Sequence, residues 1–128
     1  MRPRFFCPRS INPLAKSTET FGRVLISARD QHLISDGPVQ NGCPGEAITP
    51  AEMFLSGVAA CGVELIQVLA RQLEVPLRSV SAAIEATQDP AAPVRSDVNI
   101  FNTVRLNLEL SGVTQEQASD LVERFKRR

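Results

Sequence analysis

The sequence predicts a single α+β domain in which antiparallel sheet packs on one long, central, buried helix. Three observations predict it. Residues 80–86 and 104–110 alternate apolar and polar side chains with the period of a half-buried strand. Residues 53–73 are mostly apolar, with polar side chains recurring at helical spacing. The order of elements does not alternate strand with helix, as a parallel sheet would demand. A chain of 128 residues suits one core and buries about two-thirds of its unfolded surface.

Residues 1–19 carry Pro3, Pro8 and Pro13 among scattered charges and show neither period, so they read as a flexible arm before a domain over residues 20–128. Residues 21–27 and 31–35 are rich in β-branched and apolar side chains, with Ala28, Arg29 and Asp30 between them, and predict a hairpin. A long loop follows over residues 36–48, which contain Gly37, Pro38, Gly42, Pro44 and Gly45. Thr49, Pro50 and Glu52 then mark a helix start: the threonine caps, the proline suits the first helical position, and the glutamate completes a capping box. On that helix Glu52, Ser56, Ala60, Glu64, Gln67, Arg71 and Glu74 form one narrow stripe, and the remaining surface is almost wholly apolar. One layer of sheet in so short a chain is too little to cover it, which predicts a symmetric homodimer. The strand at 80–86 is joined to its partner by a loop broken by Pro90 and Pro93. Thr114 and Gln117 form a second capping box, opening a helix that runs to about Lys126 with Ala118, Leu121, Val122 and Phe125 on one face.

Composition narrows the function. Fourteen basic and fourteen acidic residues give no net charge and no basic stripe for phosphates, and six Phe with no Trp or Tyr give no stacking platform. Nucleic acid is therefore not an expected partner. Ser56, Glu64, Gln67 and Arg71 interrupt the apolar stretch, so it reads as a core helix and not as a membrane span. No apolar run of signal-peptide length follows the two N-terminal arginines, and a cytoplasmic location is the default. Cys7, Cys43 and Cys61 lie in no CxxC arrangement and there is one histidine, so no metal site is expected.

Cys61 is the candidate for chemistry. It lies on the seam Phe54, Val58, Cys61, Leu65, Val68, in line with apolar side chains. Free cysteine is among the most buried residue types, so the seam alone favours a structural role. Ser56, Gly57, Ala59, Ala60 and Gly62 remove bulk around the sulfur and allow close approach. A break near Gly57 would place Cys61 in a new first turn, where free amides and the helix dipole favour the thiolate. A thiol of ordinary pKa is mostly protonated at neutral pH, so peroxide chemistry also wants a nearby arginine. Arg23 and Arg29 on the hairpin are the candidates, with Arg23 ranked first; as hairpin arginines, both also read as solvated surface charges.

The run Ile48, Thr49, Pro50, Ala51, Glu52, Met53, Phe54, Leu55, followed by Val58, Ala59, Ala60, Cys61, Gly62, resembles the OsmC/Ohr family of thiol-dependent hydroperoxide reductases. The resemblance extends through Val75, Pro76 and Leu77 and the strand and helix beyond, over approximately residues 21–128. It implies an OsmC-like fold, an intertwined homodimer, and Cys61 as the nucleophile that attacks a peroxide oxygen. The leading expectation is therefore a peroxidase in which Cys61 is the nucleophile and Arg23 is the arginine taken from the hairpin candidates to stabilise the thiolate and developing alkoxide. In it Phe54, Val58 and Leu65 shape a pocket for an organic hydroperoxide, no cofactor is bound, and an external thiol or dithiol is the reductant. The family's second cysteine, on or just after the last helix, has no counterpart before Arg128. The expectation is either that the C-terminal part of the family fold is missing or that the protein works with one cysteine and an outside thiol. In the Ohr branch a glutamate directly after the proline orders the active-site arginine; Ala51 stands there, and Glu52 is the capping residue one position on, turned by about 100°. The competing expectation is a non-catalytic protein of the same fold, a redox sensor or a binder of small apolar ligands.

Overall fold

The computed structural model describes residues 10–128, so Cys7 and the first nine residues of the expected arm lie outside the described residues. The chain forms two compact units, one ending at Met53 and one spanning Phe54–Arg128, a division that falls within the long helix and not at residue 19.

In the first unit three strands, β1 (Leu14–Ser17), β2 (Arg23–Ala28) and β3 (Gln31–Asp36), form an antiparallel meander in the order β1-β2-β3. The expected hairpin is β2–β3, in register from Arg23 opposite Asp36 to Ala28 opposite Gln31, with Arg29 in the left-handed region (φ 55°) at the turn. β1 corrects the expectation of an arm over residues 1–19. Its four side chains are all exposed, so it carries no apolar alternation and is made by backbone pairing to β2, Leu14 opposite Ser27. Gly22, at φ 79°, closes the β1–β2 turn at a place with no room for a side chain: a Cβ there would lie 2.3 Å from Cys43 Sγ. The loop after β3 is tied down, with Ser35 Oγ donating to the Ile48 carbonyl (2.9 Å) and a short 3-10 turn over Val39–Asn41.

Helix α1 (Pro50–Gln72) starts where the capping box predicts: Glu52 N donates to Thr49 Oγ1 (3.3 Å) and Thr49 N to Glu52 Oε2 (3.0 Å). It ends in a Schellman turn, in which Val75 N reaches the Ala70 carbonyl (2.8 Å), Glu74 N reaches that of Arg71 (3.2 Å), and Glu74 takes the left-handed conformation at φ 54°.

In the second unit α1 is joined by the hairpin β4 (Ser79–Thr87) and β5 (Thr103–Ser111), paired antiparallel throughout, and by α2 (Gln115–Phe125). The predicted alternation holds along β4, and along β5 for Leu106, Leu108 and Leu110, while Val104 is exposed. The second capping box is formed, Gln117 N donating to Thr114 Oγ1 (3.1 Å). The core is small: Ile66, Leu69, Ala70 and Leu121 are buried, with Val75, Leu77, Val80, Leu108, Leu110, Val122 and Phe125 packed around them. Gly62 faces this packing, where an added Cβ would lie at ordinary van der Waals distance, 3.5 Å, from Leu106 and Phe125.

The helix expected to be central and buried is buried along one stripe only. Gly62, Ile66, Leu69 and Ala70 face the core, while the charged stripe and much of the apolar surface are exposed. By length and composition α1 is apolar enough to cross a membrane, yet its C-terminal half builds the core of the second unit. Two strands and an eleven-residue helix cannot wrap a 23-residue helix, which is the physical reason for the difference.

Candidate functional site

Cys61 sits midway along α1, free and exposed. Its seam, which reads from sequence as core-facing, lies on the surface: Phe54 is 65% exposed, Val58 41% exposed, Leu65 half-buried and Val68 exposed. The buried positions Gly62, Ile66 and Leu69 each follow a seam residue by one, a turn of about 100° around the helix. Both stripes are apolar, so periodicity did not decide between them; the buried one is the stripe that meets Leu106 and Phe125 at Gly62. The activation that a helix break would bring is absent, because α1 runs unbroken through Gly57 and its free amides lie far from Cys61. At Gly57 an added Cβ would meet nothing within 4 Å, so the surface one turn before the sulfur is open.

Arg23 does not behave as a solvated surface charge. Its guanidinium forks onto Asp36, Nε donating to Oδ1 and Nη2 to Oδ2, both at 2.8 Å, and Nη2 also reaches Glu46 Oε2 at 3.3 Å. Asp36 is wholly buried, and its Oδ2 accepts the backbone N–H groups of Glu46 (3.0 Å) and Ala47 (3.1 Å). The hydrogen bond from Arg23 holds the Asp36 carboxyl down at about 2, against the opposing effect of burial and with help from those two N–H groups. The same pairing raises the Arg23 guanidinium above its usual range. Arg29, the second arginine candidate, is exposed in the hairpin turn.

Arg23, Asp36, Glu46 and Cys43 belong to the first unit; Cys61 and its neighbours Phe54, Val58 and Leu65 belong to the second. Cys43 is half-buried against Gly22 and Gly37, where an added Cβ would lie 2.3 and 2.4 Å from its sulfur, so it fills a niche that two glycines leave. Sequence reasoning missed Asp36 and Glu46. An aspartate before Gly-Pro reads as a turn residue, and only the strand register, Arg23 opposite Asp36, reveals a buried pair. Among the described residues no group of three metal-ligand side chains converges.

The family model of the OsmC-like protein matches residues 43–128, a segment that includes Cys61 and all of α1. The chain belongs to the OsmC-like family. No curated protein matched the sequence. Among solved structures, the OsmC-like protein of Mycoplasma pneumoniae superposes with a TM-score of 0.81 at 14% identity, covering 95% of this chain and 84% of that one. An organic hydroperoxide resistance protein, OsmC, from Legionella pneumophila gives 0.63 at 23% identity over 94% and 85% of the two chains. OhrB of Bacillus subtilis, an organic hydroperoxide resistance protein, gives 0.61 at 18% over 93% and 84%. At these identities the likeness is one of fold. The OsmC-like match begins at Cys43, so Arg23 and Asp36 precede it and Cys61 lies within it.

Proposed function

We propose that this OsmC-like protein is a thiol-dependent hydroperoxide reductase with Cys61 as its nucleophile. The observation that carries the reading is the accessibility of the sulfur: Cys61 is exposed, among small and apolar residues, and not sealed in the packed core of its unit. Family membership supports it, and so do the names of the Legionella and Bacillus proteins. The thiolate attacks one oxygen of ROOH, the S–O bond forms as the O–O bond breaks, and the leaving alkoxide takes a proton to depart as ROH. An external thiol attacks the sulfenic acid and releases water, and a second thiol reduces the mixed disulfide, restoring Cys61. In this reading Arg23 supplies the positive charge that favours the thiolate and the developing alkoxide. Phe54, Val58 and Leu65 give the apolar wall that selects organic hydroperoxides. A second copy of the chain packs on the exposed apolar face of α1 beside Cys61 and leaves the sulfur open to the peroxide, and the cytoplasm supplies the thiols.

Rapid consumption of cumene hydroperoxide with dithiothreitol by the wild type, and none by Cys61→Ser, is the expected result. Equal rates in the two proteins would remove Cys61 from the chemistry. The unbroken helix at Cys61 favours one other reading, a redox-sensing or apolar-ligand-binding protein that lacks an activated thiol. Slow alkylation of Cys61 with no turnover of peroxide would establish that alternative.

A further inference from the structure

We infer that the cleft between the C-terminal end of α1 and the start of β4 binds the phosphate group of a small phosphorylated molecule through Arg71 and Arg78. The site lies wholly within the second unit and is independent of the chemistry at Cys61.

A cleft of about 280 Å3 opens there, with Gln67, Arg71, Arg78 and Ser79 as its polar side chains, all four of them exposed and so within reach of a ligand. Beneath them lie buried Ala70 and half-buried Val75 and Leu77, which belong to the packing of the core. Two guanidinium groups thus enter one concavity from two elements, over an apolar floor. Neither is neutralised by a carboxylate. Among the described residues no acidic side chain lines the cleft and the ion pairs of arginine are those of Arg23, Arg95 and Arg124, while residues 1–9 contain no Asp or Glu. Like charges that share a cleft repel until an anion comes between them.

An arginine in the last turn of a helix is ordinarily explained by the carbonyls it can cap. Here the backbone closes the turn: Glu74 N donates to the Arg71 carbonyl (3.2 Å) and Val75 N to that of Ala70 (2.8 Å), without the Arg71 side chain. The negative end of the helix dipole amounts to about half a charge, which two guanidinium groups outweigh. Arg78 is fixed on the other wall. Its N–H donates to the Ser111 carbonyl (2.8 Å), and Gly112, at φ 85°, comes so close that an added Cβ would lie 2.8 Å from Arg78 N. With the backbone held on both sides, only side chains have to order when a ligand arrives.

The chemistry selects the ligand. Planar guanidinium forks match phosphate oxygens, and a phosphomonoester carries close to two negative charges at neutral pH, one for each arginine. The volume is at the low end for ligand pockets, and among the described residues no aromatic side chain lines it for a base to stack on. A phosphate on a short carbon chain therefore fits, and a dinucleotide does not.

The test titrates the isotope-labelled full chain with propyl phosphate, inorganic phosphate and propanol in separate experiments, and follows amide shifts by NMR. Propyl phosphate and inorganic phosphate are expected to shift the amides of residues 71 and 75–79 to saturation, and propanol to shift none. Arg71→Gln and Arg78→Gln should each weaken binding by about 10-fold or more. Arg95→Gln, which removes an arginine already paired with Asp97, should leave it unchanged. A wild type whose shifts drift without saturating overturns the inference, as does saturation that R71Q and R78Q leave untouched. Binding of inorganic phosphate with propyl phosphate excluded would make the cleft a site for the free ion and overturns it too. Peroxide turnover is expected to be the same in R71Q, R78Q and wild type, so failure here and failure of the Cys61 reading are told apart. Circular dichroism checks folding, and the wild-type titration decides the matter should a variant unfold.

Discussion

A carboxylate with four donors and no exposed surface makes Asp36 the residue at which charge and fold are most tightly coupled, and this coupling has a pH signature. Its pKa in the folded chain is held at about 2, below the ordinary value of 3.8. A depressed carboxyl pKa contributes stability that is fully present above the unfolded value and is lost as pH falls through the folded one. Denaturant midpoints measured between neutral pH and about pH 2 are therefore expected to hold down to about pH 4 and to drop from there to about 2. Glu123, lowered by the hydrogen bond from Lys126, acts in the same direction, but both side chains are well exposed and the effect is small. In Asp36→Asn the acid limb should flatten; a limb as steep as in the wild type would mean that other carboxyls set it. Cys43 and Cys61 show how little a cysteine's neighbours in sequence reveal. Cys43, in a loop of glycines and prolines, fills a fixed niche, whereas Cys61, amid apolar helix residues, is open.

At the scale of elements, the sequence was legible wherever local chemistry decides. Both capping boxes form as Thr49–Glu52 and Thr114–Gln117 predict, β4 alternates as its residues do, and the hairpin turns at Arg29 and Asp30. What it concealed depended on partners distant in sequence. β1 has no apolar period because its pairing is through the backbone, and the Arg23–Asp36 pair exists only once β2 and β3 are in register. The C-terminus of α1 is a case where the residue opposes its conformation: Glu74 occupies the left-handed position that glycine takes most readily in a Schellman turn. A non-glycine residue there costs about 1 kcal/mol. Glu74→Gly is thus expected to raise unfolding stability by up to about 1 kcal/mol, partly offset by glycine's freedom in the unfolded chain. Chemical denaturation reads this directly, and a loss of stability would show that the Glu74 side chain makes a contribution its exposed position does not reveal.

For the molecule as a whole, α1 poses a question of surface. Its apolar residues form two stripes, of which the folded chain covers one; Phe54, Val58 and Val68 stay exposed on the stripe that also bears Cys61. The sequence recorded that the helix was too apolar for a short chain to cover, but not which stripe the chain would leave bare, because both are apolar and the choice follows from packing against residues distant in sequence on β4, β5 and α2. An uncovered seam of this kind needs a companion, and self-association is the simplest, since each copy supplies the same seam to the other. In the proposed reading the companion also shapes the surroundings of the sulfur, so association and peroxide turnover should be lost together. Light scattering after gel filtration is expected to give twice the chain mass for the wild type. Val58→Glu would place an unpaired charge in the seam that a second copy is proposed to cover and should weaken association by about 100-fold or more. That variant should be monomeric at micromolar concentration, with its helix content retained. A wild type that is monomeric, or that floats with lipid vesicles in place of pairing, would mean that the bare stripe of α1 serves a different surface.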